Sequence, residues 1–449
     1  MIGVSLSRWT ISYFAAALAA LMAAETMMAV GYGFPAAPIA APATLILVHV
    51  VAIGWLSLLM CGALLQFLPV LVAQPLYSNA LALPALASLV AGLAALVLAF
   101  LQLDGRVVPS TPFFAVAAIL LIAGFALILW SLARTMAAAP AMPLPAQFVV
   151  VGLAGVIFTV ALGATFALVL GGTVDYEPLV LLTAAGLPIH IVAGLGGWLT
   201  FTAMGVSYRL LAMFMLAPEL EGATTRGALF LGAAALGMAI AAGILAVLLG
   251  GNPSLALLAA LAMGVLALAL YGADVLRLYR ARKRRNIELN SRMAAYALVS
   301  LAASVALTLL LLAMGRLSDH AAAVVFLTAF GWLSGLGLAQ LYKIVAFLTW
   351  LECYGPVLGK GPTPRVQDLV VESRAGKWFL LYFIAVWAGA AMHLAGFPLA
   401  FRLAAAVLLV ATVGIVAQLV RARRLVDVKE AVRFPQGVQR PRFLLSCQP

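Results

Sequence analysis

Long apolar runs separated by short polar or Gly/Pro-containing breaks dominate the chain. About 20 apolar residues cross the hydrocarbon core as a helix. On that ruler the runs predict twelve spanning helices, near 9–32, 43–70, 79–102, 111–134, 146–170, 180–216, 227–250, 254–277, 292–315, 320–350, 377–396 and 399–420. Inside them one phrase is written three times: Gly54-Trp55-Leu56-Ser57, Gly197-Trp198-Leu199-Thr200 and Gly331-Trp332-Leu333-Ser334. A polar residue follows eleven positions after each Trp, namely Gln66, Arg209 and Lys343.

The phrases lie 143 and 134 residues apart and fall on helices 2, 6 and 10, the second helix of each set when twelve is divided into three sets of four. The expected fold is therefore an all-α integral membrane protein with twelve transmembrane helices in three pseudo-symmetric four-helix sets. It forms a single polytopic domain, with pseudo-repeats near 1–140, 141–280 and 281–420 and a cytoplasmic basic tail over 421–449.

Composition agrees. At 66% hydrophobic and 9% charged, with a mean hydropathy of +1.16, the chain exceeds the roughly 45–50% apolar share of a soluble globule. The net charge of +12 reads as loop bias rather than a nucleic-acid surface, because Lys and Arg accumulate on the cytoplasmic side of membrane proteins. With the N-terminus inside, Arg8, Arg134, Arg209, Arg226, the cluster Arg277–Arg292, Lys343–Lys377 and the tail from Arg421 all fall on that side, and only Arg106, Arg316 and Arg402 outside. Both termini are expected to be cytoplasmic, and the Ala, Leu, Gly and Arg usage suits a bacterial inner membrane. Arg8 and the stretch through Glu25 to Tyr32 read as an uncleaved first helix. Cys61, Cys353 and Cys447 are widely spaced and support neither a disulfide framework nor a zinc site.

Ionisable groups inside a bilayer cost about 2.5–3.5 kcal/mol each and need a reason. The topology puts His49, His190, His320, His393 and Glu25 in one outer layer. His49 precedes Trp55 by six residues and His190 precedes Trp198 by eight, which sets both at similar depth. Imidazole ligates haem iron and copper, so these two are the candidate cofactor and metal ligands; a polar contact to a neighbouring helix is the alternative. His320, His393 and Glu25 are candidates for a polar or proton layer. Met22, Met27 and Met28 around Glu25 offer thioethers that suit copper, or ordinary core filling. The Trp phrase itself reads equally as close packing of small residues beside a large ring, and Arg209 and Lys343 as cations snorkelling to the interface.

Together these features resemble the central subunit of the haem–copper oxidase superfamily, in the branch that holds nitric oxide reductases and related oxidases. The resemblance rests on His49 with its following Gly and aromatic residues and Pro69, and on His190-Ile-Val-Ala, Trp198-Leu-Thr200 and Gly205-Val-Ser-Tyr208. It implies a haem ligand at His49 and a metal ligand at His190. Two departures stand out. Six and eight residues before Trp332 the chain has Phe326 and Val324 where the family has histidines, and 227–250 contains no His, Cys, Asp or Glu. The resemblance thus implies a relative without an intact oxygen-reducing centre, binding haem or copper and serving redox chemistry, cofactor handling or an accessory role in respiration or nitric oxide metabolism. Its partners would be lipid and other respiratory or periplasmic redox proteins. The alternatives are a carrier of a small molecule or metal ion using Glu25, His49 and His190, for which Gly194–Gly197 after Pro188 hints at a broken helix, and a non-catalytic structural subunit.

Overall fold

A backbone in lipid must satisfy its own polar groups, which restricts a chain of this hydropathy to helices. The computed structural model describes residues 9–108, 111–434, 438, 440–442 and 444, so Arg8 and Cys447 lie outside the described residues. Twelve helices among these are long and apolar enough to cross a membrane. They are α1 Thr10–Val30, α2 Pro42–Leu71, α3 Ala82–Leu103, α4 Phe113–Ala137, α5 Leu144–Leu170, α6 Leu187–Met215, α7 Ala223–Leu248, α8 Ser254–Arg280, α9 Leu289–Ala313, α10 Leu317–Val357, α11 Glu372–Leu394 and α12 Pro398–Arg423. Pro42, Pro145, Pro188 and Pro398 stand in first turns, where a missing N–H costs nothing. Gly31, at φ +80°, closes α1.

The run expected at 180–216 is not one helix. A short helix, Glu177–Ala185, stops at Gly186, and α6 restarts at Leu187. A Cβ on Gly186 would lie 2.4 Å from the Leu182 carbonyl oxygen, so this break needs glycine.

Each Trp phrase lies in a π-helical stretch: Val50–Ser57 in α2, Val192–Phe201 in α6 and Leu327–Ser334 in α10. A fourth, Met238–Ala242 in α7, has no phrase. The π turn bonds residue i to i+5 rather than i+4, and the hydroxyl ending each phrase follows the same spacing. Ser57 donates to Ala52 O at 2.8 Å, Thr200 to Leu195 O at 2.8 Å and Ser334 to Ala329 O at 2.7 Å. Hydroxyls in α-helical stretches, such as Thr159, Thr308 and Thr349, reach back four residues instead. The terminal Ser or Thr of the repeated phrase is thus a side-chain complement to the wider turn.

Tertiary contacts divide the described residues into two units, one within 63–285 and the other within 9–62 and 286–444. In the first, close-packed glycines join neighbouring helices: Gly92 of α3 faces Leu121, Gly124 of α4 faces Leu89, and Gly152 and Gly155 of α5 face Thr202 and Trp198. At the far ends of α6–α8 the Asp274 carboxyl is wholly buried. It accepts from Tyr208 (3.1 Å), Thr224 (2.7 Å), Thr225 (2.7 Å) and Arg277 (3.4 Å), tying the three helices together.

In the second unit α1 packs on the phrase stretch of α2 and on α12, α9 on α10, and α11 on α12. Gly331 of the third phrase meets Ser300 of α9. The segment after α10 and the tail fold over the ends of α10 and α12. Arg423 and Glu352 form a buried ion pair, Arg442 N donates to Glu352 (3.3 Å), and Tyr354 donates to Arg433 O (2.8 Å). Cys353 is buried here among Leu369, Leu425 and Val428, an inert core position. Asp427 bonds Arg374 (2.5 Å) and Arg421 (2.7 Å).

Burial alone would raise the Asp427 pKa, but the hydrogen bonds and charges of Arg421 and Arg374 outweigh it and hold the group below the usual carboxyl value. A depressed folded-state pKa contributes stability above the unfolded value of about 3.9, lost as pH falls through the folded one. Acidification should therefore release the tail: proteolysis after Arg423 is expected to accelerate below about pH 4, and Asp427→Asn should give fast proteolysis at neutral pH.

Candidate functional site

Three polar groups buried in the second unit, Glu25, Thr412 and Tyr382, are linked to one another, and Tyr382 bonds the third π stretch. Glu25 of α1 is 0% exposed, and its Oε1 accepts from Thr412 of α12 at 2.8 Å. Its Oε2 is buried with no hydrogen-bond partner among the described residues. Tyr382 of α11, also fully buried, donates to the Phe330 carbonyl at 2.8 Å and lies within electrostatic reach of Glu25. Ser334 accepts from Trp55 Nε1 at 2.7 Å, so the first phrase is bonded to the third. Thr412 and Tyr382 both stand about midway along their helices, so Glu25 meets its partners midway along α11 and α12 although it lies near the end of α1.

His49 is the last residue before the first π stretch, and its Nδ1 lies 2.7 Å from Leu45 O. A carbonyl only accepts, so Nδ1 carries the proton and Nε2 holds the lone pair of the neutral ring. His190 lies two residues before the second π stretch and packs beside the Phe166 ring, 5.5 Å between centroids. A Cβ on Gly163 would lie 3.2 Å from its Cε1, so Gly163 makes room for the imidazole. His49 and His190 belong to different units.

The other two histidines are brought together. His393 stacks on Phe34 (centroids 4.8 Å apart), meets Phe401 edge-on (5.9 Å), and is within electrostatic reach of His320. Both His393 ring nitrogens are buried without a partner among the described residues. Phe326, at the position where the resembled family has an imidazole, is built into an aromatic cluster with Phe330 (4.9 Å) and Phe401 (5.3 Å). That site is packed with hydrocarbon. Met28 and Cys61 are buried core residues, and Met22 and Met27 are partly exposed. Among the described residues no three His, Cys, Asp or Glu side chains converge in a set that could hold a metal ion.

Two cations expected to snorkel have carboxyl partners: Arg209 pairs with Glu219, and Lys343 with Glu288 at 2.7 Å. Gln66 is buried at 4% exposure. Arg280, Arg282, Lys283 and Arg285 are exposed, as expected of a charged turn.

Sequence reasoning missed Tyr382, Thr412 and Asp274. Hydroxyls are common in apolar helices, where they bond their own backbone, and nothing along α11 or α12 distinguishes these two. Asp274, three residues before Arg277 at the end of an apolar run, reads as a solvated helix end. No protein-family model and no curated protein matches the chain.

Proposed function

We propose that the chain is a haem-binding membrane protein in which His49 is an axial ligand and which serves electron transfer or cofactor handling rather than oxygen or nitric oxide reduction. The observation that carries this reading is the His49 Nδ1–H bond to Leu45 O. Ligating histidines characteristically donate their other ring N–H to a carbonyl or carboxylate, which fixes the tautomer and orients the lone pair. The π stretch that starts at Val50 adds support, since such turns recur at functional sites. The donor set suits haem better than a protein-built copper centre: haem needs one axial imidazole from this chain and one opposite ligand, a Met or His, whereas copper needs a convergent set of side chains. When bound, the haem supplies a one-electron redox couple. His49 would hold it, from a helix whose neighbouring side chains are apolar. Phe326 and Val324 leave the third phrase without imidazoles, so the reading excludes a second metal there.

The same reading makes this a bacterial inner-membrane protein with both termini on the cytoplasmic side, supported by the one-sided distribution of Lys and Arg. The three Trp phrases, each in a π stretch with the same hydroxyl bond, favour descent from three repeats of one four-helix design.

The reduced-minus-oxidised visible spectrum of protein expressed with adequate haem tests it. Haem bands are expected in the wild type, lost in His49→Ala; a colourless wild type overturns the reading. In that event the break at Gly186, followed by Pro188, His190 and a π stretch, favours a carrier, because interrupted helices bind substrate in transporters. Solute flux into liposomes that falls in His190→Ala would support it.

A further inference from the structure

The His49 reading leaves the buried Glu25 of the second unit without a task. Glu25, Tyr382 and Thr412 are each 0% exposed and come from three different helices. We propose that they form a proton-binding site inside the helix bundle, with Glu25 Oε2 as the atom that takes the proton. The inference does not depend on haem.

Hydrogen-bond accounting points to Oε2. Thr412 donates to Oε1, which gives the carboxyl one fixed donor whatever its protonation state. The Tyr382 hydroxyl is engaged on α10, where Phe330 O accepts its hydrogen and Ser334 is a second partner, so it has no hydrogen to give to a carboxylate. A proton on Oε2 turns that oxygen from an acceptor into a donor, the role its surroundings lack. The proton comes from water and returns to it, and no bond between heavy atoms changes.

The π stretch provides the other half of the site. Ala329 O accepts from Ser334 and Phe330 O from Tyr382, two consecutive carbonyls engaged by side chains. Ser334 in turn accepts from Trp55. A change at Glu25 is thereby tied through Tyr382 to the backbone of α10 and through Ser334 to α2. A purely structural polar contact would not need an acid, since a glutamine accepts from Thr412 and donates toward Tyr382 equally well.

The titratable and charged groups on the elements packed against α1 are His49 and Cys61 on α2, Arg402, Arg421 and Arg423 on α12, and beyond them Tyr382 on α11. Tyr382 is within electrostatic reach of Glu25. Arg402 is committed one turn away, its Nε donating to Ala29 O at 3.2 Å.

The test is infrared difference spectroscopy of the full chain in liposomes, stepped in pH. The wild type is expected to show a reversible carboxyl C=O band that grows as pH falls. It should be absent in Glu25→Gln, a variant expected to match the wild type in thermal stability. In Thr412→Val and Tyr382→Phe the band should persist, with its midpoint moved by about one pH unit, a tenfold change in proton affinity. Identical pH-difference spectra for wild type and Glu25→Gln overturn the proposal. If Glu25→Gln does not accumulate, Thr412→Val and Tyr382→Phe decide: a carboxyl band unmoved in both overturns it. The measurement reads the same in protein with or without haem, so its failure is separate from failure of the His49 reading.

Discussion

Gly155→Val is expected to leave little folded protein in detergent extracts, the largest loss for any single substitution considered. In an open helix position the exchange of Gly for a residue with a side chain gains up to about 1 kcal/mol from propensity alone. At Gly155 the sign reverses. A Cβ there would lie 2.6 Å from Trp198 N and 2.7 Å from Gly197 C, both backbone atoms of the second π stretch. Backbone cannot rotate away as a side-chain tip can, so α5 and α6 must separate. Their separation opens the packing around Trp198, a buried ring at 2% exposure. Overpacking usually costs about 1–3 kcal/mol, and a clash with backbone on both sides belongs above that range. Gly264→Ala in α8 is the control: nothing lies within 4 Å of its added Cβ, and the variant should match or exceed the wild type. Size-exclusion monodispersity and thermal unfolding in detergent measure both. A Gly155→Val protein as stable as Gly264→Ala would show that α5 and α6 are not in backbone contact.

Asp274→Ala is expected to destabilise the chain by about 3 kcal/mol or more. The substitution strips an acceptor from the Tyr208, Thr224 and Thr225 hydroxyls, and each buried polar group left unpaired costs about 1–3 kcal/mol. Arg277 is more than half exposed and loses little. Asp274→Asn should fall between, because its amide keeps one acceptor oxygen and turns a donor toward groups that themselves donate. Thr225→Val alone should cost about 1 kcal/mol. Adding it to Asp274→Ala should cost less than in the wild type, since the two share one network. Full additivity in thermal or chemical unfolding would mean that the carboxyl does not join the three helices.

Much of the molecule was legible along the chain, for a physical reason. Lipid admits only backbones that satisfy their own hydrogen bonds, so apolar length reads directly as a helix, and each of the twelve expected spans overlaps its counterpart among α1–α12. The exception, the break at Gly186, depends on a carbonyl 2.4 Å from where a Cβ would stand, a contact that periodicity does not encode. The repeated Trp phrase was visible, but its structural meaning was not. A Ser or Thr three places after Gly looks like small-residue packing until the hydroxyl is seen reaching back five residues instead of four.

The polar site divides the same way. Composition singles out Glu25 and the four histidines, because a bilayer makes every ionisable group conspicuous against apolar neighbours. Their partners are another matter. Thr412 is 387 residues from Glu25 in sequence, and Ser334 is 279 from Trp55. Hydroxyls and indoles carry no such flag, since they sit in apolar helices at little cost and bond whatever is near. The sequence by itself determined the number and extent of the helices and which residues are expensive to bury. Only the tertiary structure decided which groups meet, that Asp274 is a buried tie rather than a solvated helix end, and that the three phrases are π-helical, because those outcomes depend on long-range contacts between helices that the local hydrophobic pattern does not specify.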